Sequence, residues 1–217
     1  MSKINSISKI PTGLLDKSCF ISFLLEQYPD SIHSPFFGFS FGTPINTTVG
    51  RDNLGIFYDE AQKVGLDFRL VFGTLLGIYR NHNLITYDTD LDVAIHENQL
   101  HNLKLTITNL CTQGFSVIRS HIDPSGLVIS ILKKNVFIDI YVFSSSDDGF
   151  NKCDSYELSN EDFSQPSYIE FLGKNFKTVS NIEQFLLKYY GLNWKIEIKG
   201  KHACIKNNNN YNNNNPW

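Results

Sequence analysis

The sequence contains no run of 18 apolar residues, no Cys-x-x-Cys pair and no basic excess. Each absence excludes something. Without a long apolar run no transmembrane helix is expected. The start, Met1 to Asp16, is polar and interrupted by Pro11 and Gly13, unlike a secretory signal peptide, so a cytoplasmic location is expected. Cys19, Cys111, Cys153 and Cys204 stand far apart and make neither a zinc signature nor a dense disulfide framework; free thiols are expected. A formal net charge of −3 leaves no footprint for nonspecific nucleic-acid binding. Any anionic ligand would therefore need a local cation. The six histidines show no H-x-x-x-H spacing, and His82 is expected to be solvated. With 217 residues, 41% apolar and 19% charged, the chain suits a soluble domain with a sizeable core.

What is present is concentrated between Phe72 and Ile95. Asp88, Asp90 and Asp92 fall at alternate positions, with Thr89, Leu91, Val93 and Ile95 between and after them. In an extended chain the two sets point to opposite faces, one apolar and one carrying three carboxylates about 6.6 Å apart. At an effective dielectric of about 20, each adjacent pair repels by roughly 2.5 kcal/mol. Protonation of one carboxyl or a cation among them relieves this, and a hard divalent ion such as Mg²⁺ suits oxygen ligands. A solvated edge strand kept soluble by its charges is the competing reading. Directly upstream, the apolar run Phe68–Phe72 enters Gly73-Thr74-Leu75-Leu76-Gly77. A strand, a glycine turn and a short helix leave backbone N–H groups to hold a phosphate, with Arg80 one turn beyond Gly77 as a fork-shaped partner.

These residues resemble the LicD/fukutin-related family of the nucleotidyltransferase superfamily. The matching positions are Gly73-Thr74-Leu75-Leu76-Gly77, Arg80 and Ile85-Thr86-Tyr87-Asp88-Thr89-Asp90-Leu91-Asp92. Thr86 and Tyr87 depart from the usual proline and tryptophan, and neither change touches a carboxylate. These positions match without a gap; the resemblance is strong over about residues 52–95 and traceable, more weakly, to about 195. It implies an α/β (α+β) fold, a nucleotidyltransferase-type mixed sheet flanked by helices. A partly irregular N-terminal extension (1–50), the domain (51–200) and a disordered Asn-rich tail (201–217) are expected around it.

The rest of the chain supplies further elements. Helices are expected over Ser18–Tyr28, over Leu54–Val64 capped by Asp52 or Asn53 and closed by Gly65, and over Glu97–Gln113. The aromatic stretch with Phe36, Phe37, Phe39 and Phe41 reads as a loop packed on the core. Strands are expected at Asp67–Phe72, Phe115–Arg119, Leu127–Lys133 and Val136–Phe143. Residues 150–166 show no clear period. A hairpin is expected at Tyr168–Leu172 and Phe176–Val179 around Gly173-Lys174-Asn175, then a capping box at Ser180–Glu183 ahead of a helix to Tyr190. Inside the Val136–Phe143 run sits Asp139, a lone acid among apolar neighbours, which carboxylates rarely tolerate without a partner. The superfamily's third carboxylate matches it. Tyr190-Gly191-Leu192-Asn193-Trp194 resembles the family's Y-G-x-D-W, with Trp194 expected as an apolar cap.

The resemblance implies a transferase that moves phosphocholine or an alditol phosphate from CDP-choline or a CDP-alditol, such as CDP-ribitol, to a glycan hydroxyl. Asp90, Asp92 and Asp139 are expected as catalytic residues and as ligands of Mg²⁺ or Mn²⁺. Gly73, Thr74, Arg80 and Asp88 are expected to bind substrate. Transfer of a nucleoside monophosphate from an NTP, and a catalytically silent nucleotide-binding module, are the alternatives.

Overall fold

The computed structural model describes residues 12–34, 43–123 and 126–197. Its first half contains α1 (Thr12–Gln27), β1 (Ile32–Ser34), α2 (Thr47–Val64), β2 (Phe68–Leu70), α3 (Phe72–Asn81), β3 (Asp90–His96) and α4 (Leu100–Thr112). Then come β4 (Ser116–Asp123), β5 (Gly126–Lys133), β6 (Val136–Ser145), β7 (Phe150–Cys153), β8 (Tyr156–Ser159) and α5 (Asn160–Ser164). The hairpin β9 (Tyr168–Phe171) and β10 (Lys174–Lys177) and helix α6 (Ile182–Tyr190) follow. The aromatic stretch around Phe36–Phe41, Cys204 and the Asn-rich tail lie outside the described residues.

The main sheet runs in the order β1-β4-β5-β6-β3-β2, and β7 and β8 extend it from the end of β6. β3–β6 and β1–β4 are parallel; the other pairs are antiparallel. This is the mixed α/β sheet flanked by helices that the sequence predicts. Leu91, Val93 and Ile95 on β3 and Ile138, Ile140 and Val142 on β6 are fully buried, as the alternation requires. α2 packs against α4 and α1 also packs against α4, with Phe20 and Leu24 of α1 buried.

Several boundaries differ from expectation, each for a local reason. α2 begins at Thr47 rather than Leu54, because the Asn46 side chain accepts from the amides of Thr48 and Val49. Asn53, expected as a cap, is buried inside α2 and donates to the Lys133 carbonyl at 2.9 Å. Gly65 closes the helix with φ 71°, as predicted. The strand expected at Asp67–Phe72 stops at Leu70, since Val71 caps α3. β3 starts at Asp90, so Asp88 lies in the loop before the strand and not in its row. The α6 cap shifts by one residue: Asn181 accepts from the Gln184 amide, while the Ser180 amide and hydroxyl donate to Asp162. The hairpin turn is Leu172-Gly173, both at positive φ, as two-residue hairpin loops favour. β7, β8 and α5 leave no period in the sequence because strands of four residues and a helix of five are too short to show one.

Candidate active site

Parallel pairing of β3 with β6 sets Asp92 directly beside Asp139. Ser130 on β5 pairs with Asp139, and Arg119 on β4 pairs with Ser130. Paired residues point to the same face of a sheet. Arg119, Ser130, Asp139 and Asp92 therefore form one transverse polar row across four strands, and Asp90, two residues before Asp92, shares its face. The sheet thus places the three sequence-predicted acids Asp90, Asp92 and Asp139 on one face of neighbouring strands. Asp92 is 5% exposed and Asp139 and Ser130 are fully buried, so these charges sit in the fold and not on a solvated edge.

The start of α3 is locked to this row. The Thr74 amide donates to Asp92 Oδ2 at 3.3 Å, and the Asp92 amide donates to Thr74 Oγ1 at 2.7 Å. A β-carbon on Gly73 would lie 2.3 Å from Asp88 Oδ2 and 3.3 Å from Asp92 Oδ2, so only glycine permits this approach. The sequence suggests that the amides at Gly73 and Thr74 serve a phosphate; in the structure the Thr74 amide is directed at Asp92. Asp88 is held from the other side as well, its carbonyl accepting from the Ile45 amide at 2.8 Å and its Oδ1 from the Thr89 amide at 3.0 Å. Phe72, the first residue of α3, adopts φ 45°, which a bulky side chain rarely does. Rings of Tyr141, Tyr156, Phe185 and Tyr189, with centroids 4.4–5.7 Å away, hold it there.

Burial and mutual repulsion govern the titration of the cluster. Burial pushes Asp88 up to about 6. Asp90 and Asp92 lie well above the usual carboxylate range, first through burial and then through repulsion from neighbouring carboxylates. The Thr74 and Gly73 amides pull Asp92 partly back. Burial raises Asp139, while Arg119 and Ser130 oppose the rise. Burial, followed by the charges of Asp92 and Asp139, also pushes up the Tyr141 hydroxyl.

Arg119 is the cation on the row, and sequence reading missed it. Its Nη2 lies 3.1 Å from Asp139 Oδ2 and its Nε donates to Ser130 Oγ at 2.7 Å. Register explains why: Val117 pairs with Ile131 and Arg119 with Ser130, so Ile118 is an extra residue in β4. Such a bulge turns the following side chains to the other face. Ser130, a hydroxyl inside the apolar run Leu127–Leu132, carried the same kind of signal as Asp139 and was readable. Arg80, the cation expected there, sits instead in the last turn of α3, donating to the Trp194 carbonyl at 3.2 Å and to Asn81 at 2.6 Å. Trp194 is buried beside Tyr79, as the expected cap.

The donor set fits a divalent cation. Asp139 Oδ1 is buried without a hydrogen-bond partner, and the neighbouring acids repel one another. Among the described residues no three His, Cys, Asp or Glu side chains are drawn together into a ready-made cage. Mg²⁺ usually takes one or two carboxylates and completes its shell with water and substrate phosphates. The row therefore suits an ion that shares its ligands with an anionic substrate. Two open hollows of about 590 and 610 Å³ lie elsewhere, on the side of α2 and the β9–β10 hairpin, and Arg51 and Leu172 line both. Neither is lined by the acids. His82 is exposed, as expected, and borders the first.

Comparison with curated proteins finds no match. Among solved structures, that of the antibiotic-resistance factor ANT(2'')-Ia is similar at 14% identity and a TM-score of 0.43, covering 61% of this chain and 66% of that one. A second structure of ANT(2'')-Ia, in complex with adenylyl-2''-tobramycin, is similar at 13% identity and a TM-score of 0.45, covering 68% and 78%. The chain thus spans just under two thirds of the first. A family model described as LicD/FKTN/FKRP, nucleotidyltransferase domain, matches residues 65–181, which run from the end of α2 through the whole carboxylate row to the cap of α6. The chain belongs to the LicD/FKTN/FKRP nucleotidyltransferase-domain family.

Proposed function

We propose that the protein is a metal-dependent transferase that moves phosphocholine or an alditol phosphate from a CDP-linked donor to a hydroxyl of a glycan. The observation that carries this reading is the pairing of Asp92 with Asp139 across parallel strands, with Asp90 on the same face. Family membership supports a transferase; the donor, the acceptor and the metal are our proposal.

Asp90, Asp92 and Asp139 would hold Mg²⁺ or Mn²⁺ together with the donor diphosphate. The bound ion would offset the charge that builds on the leaving nucleotide. The acceptor hydroxyl oxygen attacks the distal phosphorus of the donor, the bond from that phosphorus to the bridging oxygen breaks, and CMP leaves. Asp139 completes the ligand set or takes the hydroxyl proton; its unpartnered Oδ1 is available for either task. Gly73 and Thr74 act by placing Asp88 and Asp92. Arg80, at the opposite end of α3 from these residues, anchors the chain at Trp194. The reading keeps the cytoplasmic location expected from the sequence. Among the described residues no helix is long and apolar enough to cross a membrane.

The test is a thermal-shift series with Mn²⁺ and CDP-choline, CDP-ribitol, CTP or ATP. Stabilisation by a CDP-linked donor is expected, followed by CMP release when glycan is added. Stabilisation by NTPs alone would replace this reading with nucleoside-monophosphate transfer.

A further inference from the structure

We infer that Arg119 couples cation binding to diphosphate binding, so that the carboxylate row takes up a divalent ion poorly alone and well together with an anionic diphosphate. The inference rests on the proposed function for the site but adds a residue and a binding order to it. Three observations carry it. The extra residue at Ile118 turns Arg119 onto the acid face, where it ends the transverse row. Ser130 Oγ and Asp139 Oδ2 then fix its guanidinium by two directed contacts, and the Phe137 ring lies 5.8 Å from its centre. Finally, 18% of the side chain remains exposed, whereas the Asp139 side chain is 1% exposed, so the arginine is the more accessible member of the pair.

The physical consequence follows from charge. A fixed guanidinium among carboxylates offsets part of the negative field that would attract a bare divalent ion. It occupies Oδ2 of Asp139 and leaves only Oδ1 open. A diphosphate reverses the balance, because its oxygens are attracted by both the ion and the guanidinium fork. The ion and the diphosphate then strengthen each other's binding, and by linkage the factor is the same in both directions.

The test measures binding and not turnover, using the full chain and isothermal titration calorimetry with Mn²⁺ alone, then CDP and inorganic pyrophosphate with and without Mn²⁺. In the wild type, Mn²⁺ is expected to tighten pyrophosphate binding by on the order of tenfold or more. In Arg119→Gln, Mn²⁺ alone is expected to bind on the order of tenfold more tightly, and pyrophosphate in the presence of Mn²⁺ on the order of tenfold more weakly. Arg119→Lys keeps the charge and loses the fork, so Mn²⁺ alone stays near wild type while pyrophosphate weakens. An arginine that merely supports the fold would not tighten Mn²⁺. Unchanged or uniformly weakened binding in Arg119→Gln overturns the inference. If that variant does not fold, wild-type protein without coupling between Mn²⁺ and pyrophosphate overturns it equally. Coupling to pyrophosphate without any binding of CDP upholds Arg119 and refutes the CDP-linked donor.

Discussion

Gly73 and Asp88 approach so closely that a single methyl group on residue 73 would overlap the Asp88 carboxylate, at 2.3 Å from its Oδ2. The first turn of α3 and the loop ahead of β3 are thereby fitted to one another without a side chain between them. Gly73→Ala is expected to displace Asp88 and Asp92 and to remove activity and Mn²⁺ binding at a stability cost of about 1–2 kcal/mol, because the obstacle is a movable side-chain end. Gly77→Ala provides the contrast. Its β-carbon would meet the Asn83 carbonyl at 2.7 Å and the Ile85 amide at 3.0 Å, both backbone, so the larger loss in denaturant midpoint is expected there. Equal stability losses would contradict this ranking.

Stability without metal is expected to decline as pH rises. The folded protein raises Asp88 from 3.8 to about 6 and also raises Asp90 and Asp92 well above the usual carboxylate range, so between 3.8 and about 6 it binds more protons than the unfolded chain. Stability is then complete below the unfolded value and is lost as pH climbs through the folded values. Melting temperature should therefore fall between about pH 4 and 6, and millimolar Mg²⁺ or Mn²⁺ supplied together with pyrophosphate at neutral pH should recover it. A melting temperature that rises with pH over this interval would refute the electrostatic account.

Asp92→Asn is expected to stabilise the metal-free protein by on the order of 1 kcal/mol while abolishing transfer. The substitution removes one charge from the repelling cluster but retains an oxygen to accept from the Thr74 amide. Asp139→Asn behaves differently, since it leaves the Arg119 guanidinium without its carboxylate, and is expected to destabilise. Thermal melts of the two variants, run beside an assay for CMP release, check the opposite signs.

Arg69 carries a stability prediction unconnected with the chemistry. Buried to 1% exposure, it pairs with Asp67 at 2.6 Å and donates to the carbonyls of Asp162 and Phe163, joining β2 to α5. Arg69→Ala strands both carbonyls, while Asp67 keeps Lys177 at 2.7 Å, and should cost about 2–3 kcal/mol. Urea denaturation measures it, and a loss below about 1 kcal/mol would show that the clamp is dispensable.

Arg80→Gln distinguishes anchoring from phosphate contact. The lost bond to the Trp194 carbonyl should cost about 1 kcal/mol, with donor KM nearly unchanged. A large rise in KM at unchanged stability would restore the phosphate role that the sequence suggested.

Much of this site was legible in the chain because its signals are local. The alternation of Asp90 and Asp92 with Leu91 and Val93 fixes a face, and the lone acid Asp139 in an apolar strand marks a second. Their meeting depends on β3 and β6 lying side by side in parallel, which alternation alone does not state. Arg119 was illegible for a sharper reason: one extra residue in β4 inverts the face on which every later side chain of that strand falls, and no composition rule reveals a bulge. The position of Asp88 was misjudged because the pattern extends two residues beyond the strand that carries it.

The aromatic cage around Phe72 has one further consequence. Tyr156 comes from β8 and Phe185 and Tyr189 from α6, so the last third of the described chain reaches back to brace the single strained residue that opens α3. Trimming any of those distant rings would loosen the packing that holds the first turn of α3, and Gly73 and Thr74 would lose their fixed approach to Asp88 and Asp92.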